Sequence, residues 1–561
     1  MVSDKPYVWL LQSISLAVCL EGLVAEYQCP ETCQCGSITN RPRIKQVQCS
    51  APSLLSPELH DIPVLNTVKL TIICHGTEYA MLDCGLVSRF VYLEELAIGN
   101  CHISRITKNA FCGMSKLIVL SIRNADIGQD IHTTTARSVN RASAQNNSAV
   151  EMIQNLECNC SLDSVKSQDA TQYGLDPTAF LQTPQLMWLD LSYNHLQPQD
   201  IAPQLFCPLK NLRVLDVTGN GFTALNLLGL GCGNDSLASL KMLYMGDFTP
   251  DIMQPMQASI PKLPDLQELV IQAGGLTGFT PGSFENITKL KHFDASSNFL
   301  SKIPELNKLS SLEYLSLANN QLKGRLWDKI KHLNKLTILN VSNNALTSVS
   351  VTPYAKNTKL ISVDFSFNQL NKIPVIGHLS RIRLLNLSNN VITSIDHQPF
   401  QFPQDLFQLI LHNNIIHTIN ASAFSNLDNL EKLDLSYNRI SEMGEMINIQ
   451  NLWYFNISNN RLQKIPKFSE TNHILVLSAE NNMIKDLEND ALERLYNIMY
   501  LTLDKNNIQM VPRKAFQNCS MLKYINLAHN NISYLEYGAF SLEMANPTSL
   551  KSIDLSYNKI I

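Results

Sequence analysis

Past its first 25 residues, the 561-residue chain has no run of 18 consecutive apolar residues, the length a bilayer-crossing helix requires. No transmembrane helix is therefore expected there. Charge is scarce, at 16% of residues with a net charge of -4, which excludes a basic nucleic-acid-binding face. Glycine and proline number only 22 and 24, excluding a collagen, and the 45% hydrophobic share excludes a disordered chain. Catalytic signatures are missing too: no H-E-x-x-H, G-x-S-x-G or G-x-x-x-x-G-K-S/T occurs, and the 13 histidines are scattered. The string Gly229-Leu230-Gly231-Cys232-Gly233 lacks a flanking strand and helix, so it reads as a turn rather than a phosphate cradle. The expectation is a non-enzyme without cofactor or metal.

Leucine and asparagine are what the chain has in excess, and they are ordered. The phrase L-x-x-L-x-L-x-x-N-x-L recurs as Leu186/Leu189/Leu191/Asn194/Leu196, Leu312/Leu315/Leu317/Asn320/Leu322 and Leu430/Leu433/Leu435/Asn438/Ile440. Sixteen starts between residues 186 and 550, at spacings of 22 to 28, define a leucine-rich repeat array. Starts at 65, 93 and 117 extend it toward the amino end. Each L-x-L alternates, so it is a short strand with its leucines inward; parallel stacking sets equivalent residues about 4.8 Å apart. One repeat cannot bury its leucines, and a stack can. The closing asparagines, among them Asn298, Asn344, Asn368, Asn414 and Asn482, are expected to satisfy backbone groups of neighbouring turns. A second phrase, as in Ala423-Phe424-x-x-Leu427-x-x-Leu430, supplies the outer wall.

At the amino end, Lys5 precedes a mostly apolar stretch from Val8 to Leu20 with small residues near Ala25, which reads as a secretory signal peptide over residues 1–25. Fourteen cysteines and many Asn-x-Ser/Thr triplets agree with an oxidising, glycosylating compartment. The predicted organisation is a cysteine-rich cap over 26–64 and the array over 65–561, with an insertion at about 128–152. The array stops inside a repeat at Ile561, so a truncated ectodomain or a secreted protein is expected.

Cys29, Cys33, Cys35 and Cys49, spaced C-x3-C-x-C-x13-C, stand just before the first repeat. This resembles the amino-terminal cap of extracellular leucine-rich repeat proteins, which implies bridges Cys29–Cys35 and Cys33–Cys49; a zinc knuckle is the alternative. With that cap the predicted fold is an α/β solenoid, a leucine-rich repeat horseshoe with a parallel concave β-sheet. Repeat arithmetic suggests further bridges. Cys84 and Cys112 each lie 19 residues after their starts, Cys74 and Cys101 lie 9 and 8 after, and Cys207 and Cys232 lie 21 and 20 after. Stacking at about 4.8 Å falls inside the disulfide window, so these are three expected pairs. Cys519 takes a core leucine position and is expected to be unpaired; Cys158 and Cys160 stay unassigned.

Sequons begin at Asn146, Asn159, Asn234, Asn286, Asn340, Asn386, Asn420, Asn456, Asn518 and Asn531. Asn340, Asn386 and Asn456 fall between or beside strand leucines and point out of the concave face, where glycans would shade its middle. Asp190, Asp216, Asp294, Asp364, Asp434 and Asp554 form a strand row that either binds a cation or is ordinary repeat spelling. Trp188 and Tyr244 near the amino end, and Trp453, Tyr454, Tyr500 and Tyr524 near the other, occupy outward strand positions. Exposed aromatics are enriched at binding anchors, so Trp188, Tyr244, Tyr454, Tyr500 and Tyr524 are the ligand-contact candidates; lateral packing between strands is the alternative.

Several phrases together resemble one family, the invertebrate Toll receptors of the long type. They are Asn66-Thr67-Val68-Lys69-Leu70-Thr71-Ile72-Ile73-Cys74, Leu93-Glu94-Glu95-Leu96-Ala97-Ile98-Gly99-Asn100-Cys101, Leu120-Ser121-Ile122-Arg123-Asn124, Phe206-Cys207-Pro208-Leu209-Lys210-Asn211-Leu212 with Cys232 after it, and the stretch from Asn451 to Leu462. The resemblance implies the ectodomain of a single-pass, Toll-like innate-immune or developmental receptor. It would bind a protein ligand such as a Spätzle-like cystine-knot cytokine, form homodimers, and signal through a TIR domain that this sequence does not contain. The C-x3-C-x-C cap is closer to matrix and guidance proteins, which implies a secreted or cell-surface adhesion role instead.

Overall fold

The computed structural model describes residues 29–38, 41–128, 174–197, 200–201, 205–221, 237–247, 256–258, 260–349, 357–374, 376, 379–396, 405–420, 422–425, 427–446, 449–468, 473–487, 492–540 and 550–560. One repeat shows the logic of all. In the strand Gln408–Ile410 only Leu409 faces inward. It is fully buried with Leu406, Leu411, Ile416, Leu427 and Leu430, and Phe424 closes the outer side of the same layer. Burial of a leucine contributes roughly 1.5–3 kcal/mol, and here that gain exists only because the layers above and below cover it.

Asparagine then welds layer to layer. Asn438 Nδ2 donates to the carbonyls of Leu435 and Ser436 in its own repeat and to Leu411 in the preceding one, at 3.0, 3.1 and 3.0 Å. Its Oδ1 accepts the Ile416 N–H at 3.0 Å. The same pattern holds at Asn298, Asn344, Asn368, Asn414 and Asn482, as expected from the sequence. One asparagine thus pairs four backbone groups at this turn.

The result is a solenoid with a 21-stranded sheet along its concave side. Pairings run in chain order and in register, so that Leu385, Leu409, Leu433 and Phe455 form one continuous inward file. The cap prolongs this sheet. Cys33–Ile38 pairs antiparallel with Arg41–Ala51, which pairs parallel with Thr67–Cys74. Bridges Cys29–Cys35 and Cys33–Cys49 close it, as the cap resemblance implied and in place of a zinc knuckle. Helix is a small share of the outer side: among the described residues Leu326–Ile330 is the one α-helix, and Pro57–Asp61 is a 3-10 turn. Elsewhere turns and short parallel ladders, such as Ser394–Ile395 with Thr418–Ile419, carry the chain across. Most repeats have 22 to 24 residues, which leaves too few positions there for long helices.

Candidate functional site

With the leucines committed to the core, only the outward strand positions and the strand ends present variable chemistry. The aspartate row proves to be part of the frame. Oδ1 of Asp190, Asp216, Asp294, Asp364, Asp434 and Asp554 accepts the N–H two residues on, at 2.8 to 3.0 Å. Asn340, Asn386 and Asn456 sit in the same column and accept from Ser342, Ser388 and Ser458 in the same way. Aspartate and asparagine thus do one job there, turning the chain off the strand. Among the described residues no group of three or more His, Cys, Asp and Glu is placed to hold a metal ion. Asn286 and Asn420 are exposed, Asn518 and Asn531 are half-buried, and Asn146, Asn159 and Asn234 lie outside the described residues.

The aromatic candidates form no single patch. Tyr500 and Tyr524, neighbours in register, stack with centroids 5.0 Å apart and planes 8° from parallel, 43% and 39% exposed. Tyr454 is separated from them by Val476 and meets Trp453 edge-on at 6.0 Å. Trp453 donates from Nε1 to Glu431 at 2.8 Å and lies under the Lys432 ammonium. Trp188 and Tyr244 are half-buried and stand two strands apart, with Val214–Asp216 between them. Sequence reasoning missed Tyr314, which stacks on His292 at 4.0 Å in the same column.

Cysteine chemistry concentrates at the amino end. Cys74 and Cys101 are bridged, Cα atoms 4.8 Å apart. Cys84, Cys112 and Cys207 are also disulfide-bonded; Cys158, Cys160 and Cys232 lie outside the described residues. The stacking argument for Cys84 with Cys112 fails. Leu82 stands opposite Ile106, and Phe90 and Met114 make equivalent turn bonds. That register sets Cys84 opposite Lys108 and Cys112 opposite Ser88, because a start at 65 overstates the repeat length. Cys519 is free and buried, its thiol pushed up to about 12 by burial.

Next to the Cys74–Cys101 bridge lies a polar network that the sequence did not announce. Arg123 Nε donates to Ser192 Oγ at 2.9 Å and lies 3.3 Å from Asp190 Oδ2, which also accepts from Ser121. Burial, and then Asp216, hold the Asp190 carboxyl above the usual carboxylate range, against the Ser192 hydrogen bonds and Arg123. Tyr193 Oη donates to Asp247 Oδ2 at 3.1 Å across two repeats. Tyr193 holds φ 58°, at a position where asparagine is the commonest residue. Its ring lies over Gly219, where an added Cβ would come within 2.3 Å.

Repeats, parallel sheet and disulfide cap together define an extracellular-type leucine-rich repeat protein. The family model described as Leucine rich repeat matches residues 173–222, 264–322, 334–392, 380–440, 404–462 and 496–560, more than half of the chain, and the chain belongs to that family. Chicken (Gallus gallus) lumican is 29% identical over 202 residues, covering 36% of this chain and 56% of lumican. Mouse (Mus musculus) podocan is 30% identical over 269 residues, covering 42% of this chain and 43% of podocan. The chain thus spans about half the length of the curated relatives it matches. A leucine-rich repeat protein of Leptospira interrogans superposes with a TM-score of 0.55 at 25% identity, covering 68% of this chain and 93% of that one. A chain of the Drosophila Toll–Spätzle complex superposes with a TM-score of 0.57 at 16% identity, covering 94% of this chain and 68% of that one, a likeness of fold.

Proposed function

We propose that the chain is the non-enzymatic ligand-recognition region of a Toll-like receptor. It binds a protein ligand of the cystine-knot cytokine class through its amino-terminal third and dimerises to signal. One observation carries the reading: the Cys74–Cys101 bridge joins two of the phrases that resemble the Toll family and pins them at the edge of a sheet stretch free of sequons. The first sequon after the cap is at Asn146, so none falls on Thr67–Cys74, Glu95–Gly99 or Val119–Arg123. A protein partner needs roughly 800 Å² per side, and that stretch offers area the sequon-bearing middle does not.

A secreted or cell-surface matrix or adhesion protein is the second reading, favoured by the similarity to lumican and podocan. The complete transcript separates the two. A TIR-coding segment supports the receptor; a stop soon after a carboxyl-terminal cysteine cap supports the matrix protein. Ligand location is tested with a purified cystine-knot cytokine on immobilised protein. Deleting residues 130–149 and reversing charge around Trp188 and Tyr244 is expected to weaken binding at least tenfold without unfolding the array. Unchanged affinity overturns the amino-terminal assignment.

A further inference from the structure

The amino-terminal sheet carries a hollow, and its cause is visible in the side chains. Ile73, Gly99 and Arg123 stand in register on three adjacent strands. Ala97 and Ser121, also outward, are small. Gly99 has nothing within 4 Å of the place its Cβ would occupy. One residue on, Asn100, Asn124 and Tyr193 follow at φ 56°, 51° and 58° and form the rim. These six residues line a cavity of about 530 Å³ open to solvent, within the size range of ligand pockets.

The chemistry of the walls is mixed in a defined way. Ile73, 37% exposed, gives an apolar wall, and Tyr193 borders the hollow with its ring held over Gly219 and its hydroxyl by Asp247. Asn124 Nδ2 donates to Asn100 Oδ1 at 3.0 Å, tying the amide rim together. Among the described residues of the lining Arg123 is the one that is charged. Both of its described polar contacts use Nε, and its side chain is 49% exposed. Neither contact occupies the two Nη groups, a fork suited to a carboxylate. Anchored through Nε to Ser192 and Asp190, that fork is pre-positioned, so little side-chain entropy is lost when it is engaged.

We infer that this hollow is an anchoring pocket for a carboxylate flanked by an apolar side chain on a protein ligand. The carboxylate takes the Arg123 fork, and the apolar group fills the space over Gly99 against Ile73 and Tyr193. The inference rests on the reading that the amino-terminal third recognises a protein, and deepens it. The occupant's charge follows from the Arg123 guanidinium, and its apolar part from Ile73.

The test uses a peptide probe, so that its failure leaves the location of the natural ligand to its own experiment. Saturation-transfer difference NMR on the intact glycoprotein with acetyl-Leu-Glu-Leu-amide is expected to show transfer to the leucine methyls with a Kd of about 1 mM. Acetyl-Leu-Gln-Leu-amide is expected to bind at least tenfold more weakly. Gly99→Leu, whose Cβ meets nothing within 4 Å, should occupy the cavity and abolish transfer while leaving thermal unfolding unchanged; Arg123→Lys, which keeps charge and loses the fork, should weaken binding several-fold. If acetyl-Leu-Gln-Leu with a free carboxylate binds as well as the Glu peptide, the pocket stands and a chain terminus becomes its source of carboxylate. Equal binding of the Glu and Gln amides, binding undiminished in Gly99→Leu, or no transfer at ~10 mM peptide overturns the proposal.

Discussion

The two ends of one solenoid are cemented differently. Between residues 67 and 123 the concave strands are long, Thr67–Cys74 with eight residues and Glu95–Gly99 and Val119–Arg123 with five each. Beyond Phe293 each concave strand has three residues. The long strands lack the asparagine weld: at its position stand Ala125, whose N–H donates to Asn194 Oδ1, and Cys101, bridged to Cys74. From Asn298 to Asn558 the weld repeats in layer after layer. Where a repeated hydrogen bond holds every layer, layers must resemble one another; where covalent bridges and longer ladders hold them, outward positions are free to diverge. The divergent end is the one with the hollow, and no sequon falls between residues 67 and 123.

The largest expected effect breaks that comparison at its covalent end. Replacing Cys74 and Cys101 together by alanine should lower unfolding free energy by about 3 to 4 kcal/mol, read by urea denaturation. Loss should be confined to the amino-terminal repeats, because each layer contacts only its neighbours. A loss below about 1 kcal/mol means the long strands suffice alone. At the other end Asn438→Ala should cost about 2 kcal/mol, since it strands the buried Ile416 N–H and the Leu411 carbonyl. Hydrogen exchange should then accelerate at Ile416 and not at Ile484.

Cys519 gives a smaller, pH-dependent test in the regular end. Its folded pKa is raised, so the folded state keeps a proton the unfolded state loses near about pH 8.5. Stability from this group is complete below that pH and is lost as pH rises toward the folded value. Relative to Cys519→Ala, the native protein should lose roughly 1 kcal/mol between about pH 8.5 and 9.5. Iodoacetamide should label Cys519 only after unfolding.

The regular end was legible because one period governs it: a leucine every second or third position and an asparagine after it leave one way to stack. The amino end was legible in its cap and in Cys74–Cys101, but not in its register. Counting from a leucine at 65 set Cys84 beside Cys112, whereas the true strand begins at Thr67 and pairs Lys69 with Glu95. Peptide mapping of unreduced protein is therefore expected to find Cys84 and Cys112 in separate bridges, for which Cys158 and Cys160 are the remaining thiols once Cys207 pairs with Cys232. A Cys84–Cys112 peptide reinstates the stacking. Tyr193 and Gly99 were passed over because each departs from the repeat by one residue, and such departures carry no periodic signal. Glycine on an outward strand position was the sign available.

The smallest expected effect concerns Tyr500. It and Tyr524 stack on the sheet surface, open to solvent, so Tyr500→Ala removes one side of a single aromatic pair and should cost less than about 1 kcal/mol of stability. Exposure of this kind serves either lateral packing or ligand contact, and stability alone does not separate the two. Affinity does. If ligand engages the amino-terminal third, Tyr500→Ala should change cytokine affinity less than about threefold, below the tenfold that a buried anchor of more than 1.4 kcal/mol contributes. A larger loss, with the variants around Trp188 and Tyr244 binding normally, transfers recognition to the regular end and makes the divergent outward surface of the amino-terminal repeats a matter of packing alone.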